Sequence, residues 1–530
     1  MLALLHLLCL PLLSYALSND AMRQRRVYQL VTDRFASPSN SSSAPCNVAS
    51  APYCGGTYKG IVGKLDYIKG MGFDTVWISP VVSNIGGTTG HGQAYHGYWT
   101  LDPAKLNDNF GTADDLKALS AALHAKGMYL MVDIVVNHVA ATSGSSFSPS
   151  SSYGQFSTAA SYHPFCWITD YTNQTQVEQC WLGDDQVALP DLNTDSSTVS
   201  AYWNAWIKKL VSDYSIDLIR IDTVKHVAQS FWPSFLASAG VGNVGEVLDG
   251  SPSYVGAYQK SAQINPFNYP IYYPLVRAFN GTGGNMTELI NMSGSVKSSF
   301  SDPTLLGGFL NNHDNPRFES WVSDAALIKN AHAYSFVSDS VPYLYYGSEA
   351  GFKGGADPLN REPLWTSNFN TGSDLYKFFA SLNAARAAAG NASTSFYTTQ
   401  MTLTSLSAKD LLIAKGPLLS VLTSRGASGA SNSINIPQTS SGWGNNVAIT
   451  DALTCAQFNT ASNGALSVPI EGGMPRVLIE TSKRGSLCSN STSTNTSTGG
   501  KSAAGRRGVV DGMLALSAGA VALLGGAMML

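Results

Sequence analysis

The sequence predicts an α/β protein: a (β/α)8 TIM barrel with a domain inserted after the third strand and a C-terminal antiparallel β-sandwich. Three observations predict it. From Val27 to about residue 400, short apolar runs alternate with amphipathic segments, the pattern of βα units on a parallel sheet. Several runs end in polar or charged residues, as barrel strands do where they build a site. Beyond about residue 400 the helical pattern gives way to short alternating runs with Gly and Ser turns.

The strand-like runs are 27–31, 75–78, 129–133, 218–222, 243–246, 305–310 and 341–346. Between them, residues 113–126 carry Leu116, Leu119 and Leu123 at helical spacing. The alternation breaks at 139–192, a stretch rich in Ser, Tyr and Gln that reads as the inserted domain. The barrel domain is expected over 17–400 and the sandwich over 401–488. A Ser/Thr-rich stalk is expected over 489–504.

Both ends read as processing signals. Residues 1–16 are apolar and end Ser14-Tyr15-Ala16, a secretory signal peptide. Small residues Ser502-Ala503-Ala504, a short spacer and the apolar stretch 513–530 form a GPI-anchor signal, with Ser502 as attachment site and 505–530 removed. The competing reading of that tail is a transmembrane helix. The chain of 530 residues is 13% charged with net charge -3, which gives no reason to expect nucleic acid or acidic lipid as partner. Outside the signal segment six cysteines remain: Cys46, Cys54, Cys166, Cys180, Cys455 and Cys488. In a secreted chain they read as disulfides, and pairing neighbours in sequence is the simplest choice. Asn-x-Ser/Thr sequons occur at Asn40, Asn173, Asn280, Asn285, Asn291, Asn391, Asn490 and Asn495.

Ile219 and Ile221 alternate with Arg220 and Asp222, so a strand there turns Arg220 and Asp222 to one side. Arg beside Asp is expected to hold the carboxylate ionised at a low pKa. Glu246 ends a strand in apolar surroundings, which raise a carboxyl pKa. Asp314 follows the 305–310 run. Two carboxyls in different protonation states are what glycosidic cleavage requires. His138, His226 and His313 each sit just past a strand end. Asn137, Glu178 and Asp191 offer hard oxygen ligands suited to calcium. Tyr95-His96-Gly97-Tyr98-Trp99 forms an aromatic loop on which a sugar could stack, or ordinary packing.

Four segments carry a resemblance: Asp133 to His138, Arg220 to His226, Gly245-Glu246-Val247 and Asn312-His313-Asp314. Together they resemble the signature regions of the α-amylase family, glycoside hydrolase family 13. The likeness is strongest to secreted fungal α-amylases and extends to their GPI-anchored relatives. The resemblance implies Asp222 as nucleophile, Glu246 as general acid/base and Asp314 as transition-state stabiliser. It implies Arg220, His138, His313, His96, Tyr98 and Trp99 around the cleaved sugar, with Asp357 and Arg361 on the donor side and Lys225 and His226 on the acceptor side. It implies Ca2+ held by Asn137, Glu178, Asp191 and the main-chain oxygen of His226.

Two departures stand out. His91 occupies a position where close relatives carry a donor-side Tyr, and Gly256 and Phe300 replace a disulfide pair. The expected activity is retaining hydrolysis of α-1,4-glucan by a monomer tethered at the cell surface. The alternative is 4-α-glucanotransferase action on cell-wall α-glucan, in which a sugar rather than water resolves the intermediate.

Overall fold

The computed structural model describes residues 17–38, 46–429 and 432–489. The signal segment 1–16, Asn40, Asn490, Asn495, the stalk beyond Ser489, Ser502 and the 505–530 tail lie outside the described residues.

Alternating apolar runs become seven parallel strands. Their order is Gly307–Gly308, Val341–Tyr345, Val27–Gln29, Thr75–Ile78, Tyr129–Ile134, Leu218–Ile221 and Gly242–Gly245. The two edges meet through an eighth stave reduced to single bridges, Gly245 to Pro266 and Phe267 to Gly307. Pro266 supplies no ladder donor, so this stave carries no strand-like apolar alternation in the sequence.

Period-two alternation sorts the side chains. Val76, Ile78, Leu130, Val132, Ile219 and Ile221 face outward into the large core shared with the helices. Trp77, Met131, Leu218, Val244, Phe267 and Tyr343 pack together inside the barrel. Arg220 and Asp222 follow Leu218 on the inward side, and Arg220 lies in register with Asp133 and Val244. The helix Ala113–Ala125 buries Leu116, Leu119 and Leu123 as their spacing predicts. A Thr112–Asp115 capping box starts it.

A bridge from His138 to Asp191 ties the inserted stretch to the barrel, and one from Ala141 to Ala188 closes it on itself. The C-terminal region forms a six-stranded antiparallel sheet and a separate pair, Asn432–Ile436 with Leu466–Ile470. Ile434, Ile436, Val468 and Ile470 pack on Leu412, Val421, Ile449 and Leu478 of the larger sheet, which gives the expected two layers. Cys46–Cys54, Cys166–Cys180 and Cys455–Cys488 are disulfides, with Cα–Cα distances of 5.6, 4.9 and 5.5 Å. At the missing cysteine pair the chain packs closely instead. A Cβ on Gly256 would lie 2.6 Å from Ser299 O, and the adjacent Phe300 is buried. Among the described residues no helix is long and apolar enough to cross a membrane.

Candidate active site

Arg220 is the hub at the mouth of the barrel. It is 1% exposed and contacts three carboxyl groups. Nη1 donates to Asp222 Oδ1 at 2.6 Å and to Asp133 Oδ1 at 3.0 Å, and Nη2 lies 3.0 Å from Glu246 Oε2. Thr223, next to Asp222, takes a left-handed conformation with φ 47°. That unusual backbone directs its N–H to Glu246 Oε2 at 3.1 Å. Asp222 Oδ2 is buried with no hydrogen-bond partner.

Asp133 has a role that the sequence reading did not assign. It accepts from Tyr98 OH at 2.6 Å and from Trp77 Nε1 at 3.1 Å while holding Arg220. The available signal was an acid inside an otherwise apolar strand.

The opposite wall is built from the loop after the Gly307–Gly308 strand. The Tyr98 and His313 rings stack with centroids 5.1 Å apart. Gln29 Nε2 is 2.6 Å from His313 Nδ1, and His313 Nε2 is 3.2 Å from Asp314 Oδ1. Arg361 donates to His313 O at 2.9 Å, lies 3.5 Å from Asp314 Oδ1 and pairs with Asp357 at 3.1 Å. Buried Arg34 stacks on Tyr95 at 3.8 Å and donates to Arg361 O, so it backs this wall. His138 Nε2 is 3.2 Å from Tyr98 O, and His96 Nδ1 accepts from Tyr98 N–H at 3.1 Å. Trp99 is buried with Ala94, Ala140, Val187 and Leu189 and meets His96 edge-on, so its large ring completes that small core beside the site.

Burial raises the pKa of Asp133, Asp222, Glu246 and Asp314. Asp133 is pushed up to about 6. Asp222 is raised as well, by burial against the pull of Arg220. The expectation that Asp222 stays low is therefore corrected: Arg220 divides its charge among three acids and only offsets desolvation. Glu246 is raised by burial, against Arg220, and pushed further up by Asp222. The two carboxyls act oppositely on each other, since contact with Glu246 lowers Asp222. Two buried carboxyls sharing one guanidinium resist ionising together, so the pair holds one proton between them. Asp314 is raised well above the usual range by burial and then by Glu246. Burial also holds His96 and His313 well below their usual value, so both rings are neutral near pH 7.

On the acceptor side, Lys225 Nζ donates to Leu248 O at 2.9 Å and lies 5.2 Å from the Tyr171 ring centroid. His226 meets the same ring edge-on. Tyr171 is 46% exposed, and the sequence reading had not singled it out. Its signal was an aromatic residue in a polar stretch. His91 pairs with Asp184 at 2.7 Å.

Among the described residues no three His, Cys, Asp or Glu side chains form a metal cluster. The expected calcium ligands instead supply mixed oxygens. The Asn137 amide oxygen faces His226 O at 2.8 Å and Asp191 Oδ1 at 2.9 Å; turned over, its NH2 would donate to both. Oxygens converging in this way fit a hard cation. Glu178 is engaged with Gln174 Nε2 at 2.7 Å, and Asp191 also meets His163 at 2.6 Å.

This arrangement matches known proteins. A family model described as "Alpha amylase, catalytic domain" matches residues 29–398, and "Alpha-amylase, domain C" matches 395–496. The chain belongs to the α-amylase family. This α-amylase-family chain is 45% identical over 472 residues to an alpha-amylase of Saccharomycopsis fibuligera, covering 89% of this chain and 94% of that one. It is 53% identical over 364 residues to alpha-amylase 1 of Lipomyces kononenkoae, covering 69% of this chain but only 58% of that longer protein. The solved structure of an alpha-amylase from Malbranchea cinnamomea matches with TM-score 0.86 and 42% identity, over 89% of this chain and 99% of that one.

Proposed function

We propose that this glycoside hydrolase cleaves internal α-1,4-glucosidic bonds of starch-like glucans with retention of configuration. The observation that carries this is the single Arg220 guanidinium contacting both Asp222 and Glu246. A close pair with opposed protonation supports a covalent route rather than one leaving room for water between the acids. Asp222 Oδ2 attacks the anomeric carbon while Glu246 protonates the departing glucosyl oxygen. Glu246 then takes a proton from water, which displaces Asp222. Asp314 and the neutral His138 and His313 bind hydroxyls of the distorted sugar.

Calcium is part of the proposal. Asn137, Asp191 and the main-chain oxygen of His226 would hold it, with Glu178 as a further ligand. Bound there it supplies fixed positive charge that ties the inserted domain to the loop after Asp222.

The proposed domain boundaries are those set out above. We also propose a monomer that is secreted and retained at the cell surface by a GPI anchor at Ser502. Asn173, Asn280, Asn285, Asn291 and Asn391 are all exposed, which supports passage through the secretory route. Release from cells by a phosphatidylinositol-specific phospholipase tests the anchor.

A second reading, 4-α-glucanotransfer, is supported by Tyr171, whose exposed face beside Lys225 offers an incoming sugar a stacking surface. Incubation with maltoheptaose separates the two. Shorter products alone, released as α-anomers, support hydrolysis; longer ones establish transfer. A β-anomer as first product overturns the covalent route.

A further inference from the structure

We infer that Asn173 carries an N-linked glycan whose first sugar packs on Tyr171, limiting access of a second glucan chain to the acceptor side of the cleft. The inference rests on the secretory and catalytic readings above and adds a modification site to them.

Four observations meet on one turn. Asn173-Gln174-Thr175 is a sequon, and Asn173 and Thr175 are both exposed. Asn173 caps the helix Gln174–Gln179 through Oδ1 alone, accepting from the N–H groups of Thr175 at 3.1 Å and Gln176 at 3.3 Å. Glycosylation at Nδ2 therefore leaves the cap intact. The turn is fixed, because Asp170 Oδ1 accepts from Thr172 N–H at 2.8 Å and Gln176 Oε1 from the N–H groups of Thr169 and Asp170 at 3.0 and 3.1 Å. Cys166–Cys180 closes the loop around it. Tyr171, two residues before Asn173, presents its exposed ring beside Lys225 and His226.

The C–H face of a pyranose stacks on an aromatic ring, so Tyr171 has two competing uses. It can receive an acceptor sugar, or it can be covered by the N-acetylglucosamine attached two residues away. The covalent step is transfer from a lipid diphosphate-linked oligosaccharide. Asn173 Nδ2 loses one proton and bonds to C1 of the sugar, and the lipid diphosphate leaves with the bonding electron pair.

The full chain, secreted from a eukaryotic host, is mapped by glycopeptide mass spectrometry. It is then compared with Thr175→Ala, which removes the sequon but keeps the Asn173 cap. Folded wild-type protein treated with a peptide N-glycanase, which removes the first sugar and leaves an Asp whose Oδ1 can still cap the helix, gives the same comparison without mutation. The expected result is a glycan at Asn173, and a ratio of transfer to hydrolysis products from maltoheptaose that rises about 2- to 10-fold on its removal, the worth of one stacking contact. Glycans at Asn280, Asn285, Asn291 or Asn391 with none at Asn173 overturn this inference alone. Absence at all five sites likewise overturns this inference, whereas failure of the host to secrete the chain overturns the secretory reading. A glycan at Asn173 whose loss leaves the product ratio unchanged overturns the gating role.

Discussion

Arg220 Nη1 lies 2.6 Å from Asp222 Oδ1, while Asp222 Oδ2 has no hydrogen-bond partner. One oxygen is held and the other is free to react. The same guanidinium reaches Asp133 and Glu246, so a compact ammonium at this position could not satisfy the set. Arg220→Lys is expected to lower kcat/KM on starch by about 10²- to 10³-fold, the cost of breaking a buried charge pair. Steady-state kinetics check it, with circular dichroism to establish that the variant folds.

The proposed route requires Glu246 protonated and Asp222 ionised in the free enzyme. Activity is therefore lost at low pH as Asp222 takes up a proton, and at high pH as Glu246 gives its proton up; burial shifts both limbs upward. Glu246→Gln is expected to lower kcat by about 10²- to 10⁴-fold and to erase the high-pH limb of whatever activity remains. A variant that keeps that limb assigns the acid to another residue.

His313 titrates in the folded state well below its ordinary value, because of burial and then the charges of Arg361 and Arg220. Between the folded and unfolded pKa values the unfolded chain binds the extra proton. The neutral ring's contribution to stability is thus intact above the unfolded value of about 6.5 and is lost as pH falls below it. The melting temperature of wild type should fall more steeply from pH 7 to pH 5 than that of His313→Asn. Equal slopes would refute the assignment.

Gly256 fits directly against the Ser299 carbonyl. Gly256→Ala is expected to destabilise the fold by about 1–3 kcal/mol through overpacking. Urea denaturation at constant m-value measures it.

Calcium chelation should lower the melting temperature by several degrees, and re-addition should restore it. Removal of a ligand present at about 1,000 times its Kd costs about 4 kcal/mol. Asn137→Ala should blunt the response, because Asn137 faces both His226 O and Asp191.

Much of this site was legible in the sequence, for identifiable reasons. Arg220 and Asp222 share a face because a strand has period two, and barrel strands expose polar ends on one side. The cysteine pairs were legible because each joins cysteines that are neighbours in the sequence. The packing of Trp99 against Ala94, Ala140, Val187 and Leu189 was hidden because an aromatic loop does not show in sequence which rings turn inward. The eighth stave was hidden because two bridges around a proline leave no alternation to detect.

The sequence by itself determined the barrel and the sandwich, and it singled out Asp222, Glu246 and Asp314 and the simplest disulfide pairing, since each rests on local periodicity, spacing or a motif. Only the tertiary structure decided how charge is shared among them. Strand register sets Asp133 opposite Arg220, and the turn at Thr223 brings Glu246 into the same contact. Desolvation then raises Asp133, Asp222, Glu246 and Asp314, and Arg220, divided three ways, can only offset it. Those effects depend on burial and on distances between residues far apart in the chain. A linear pattern carries neither.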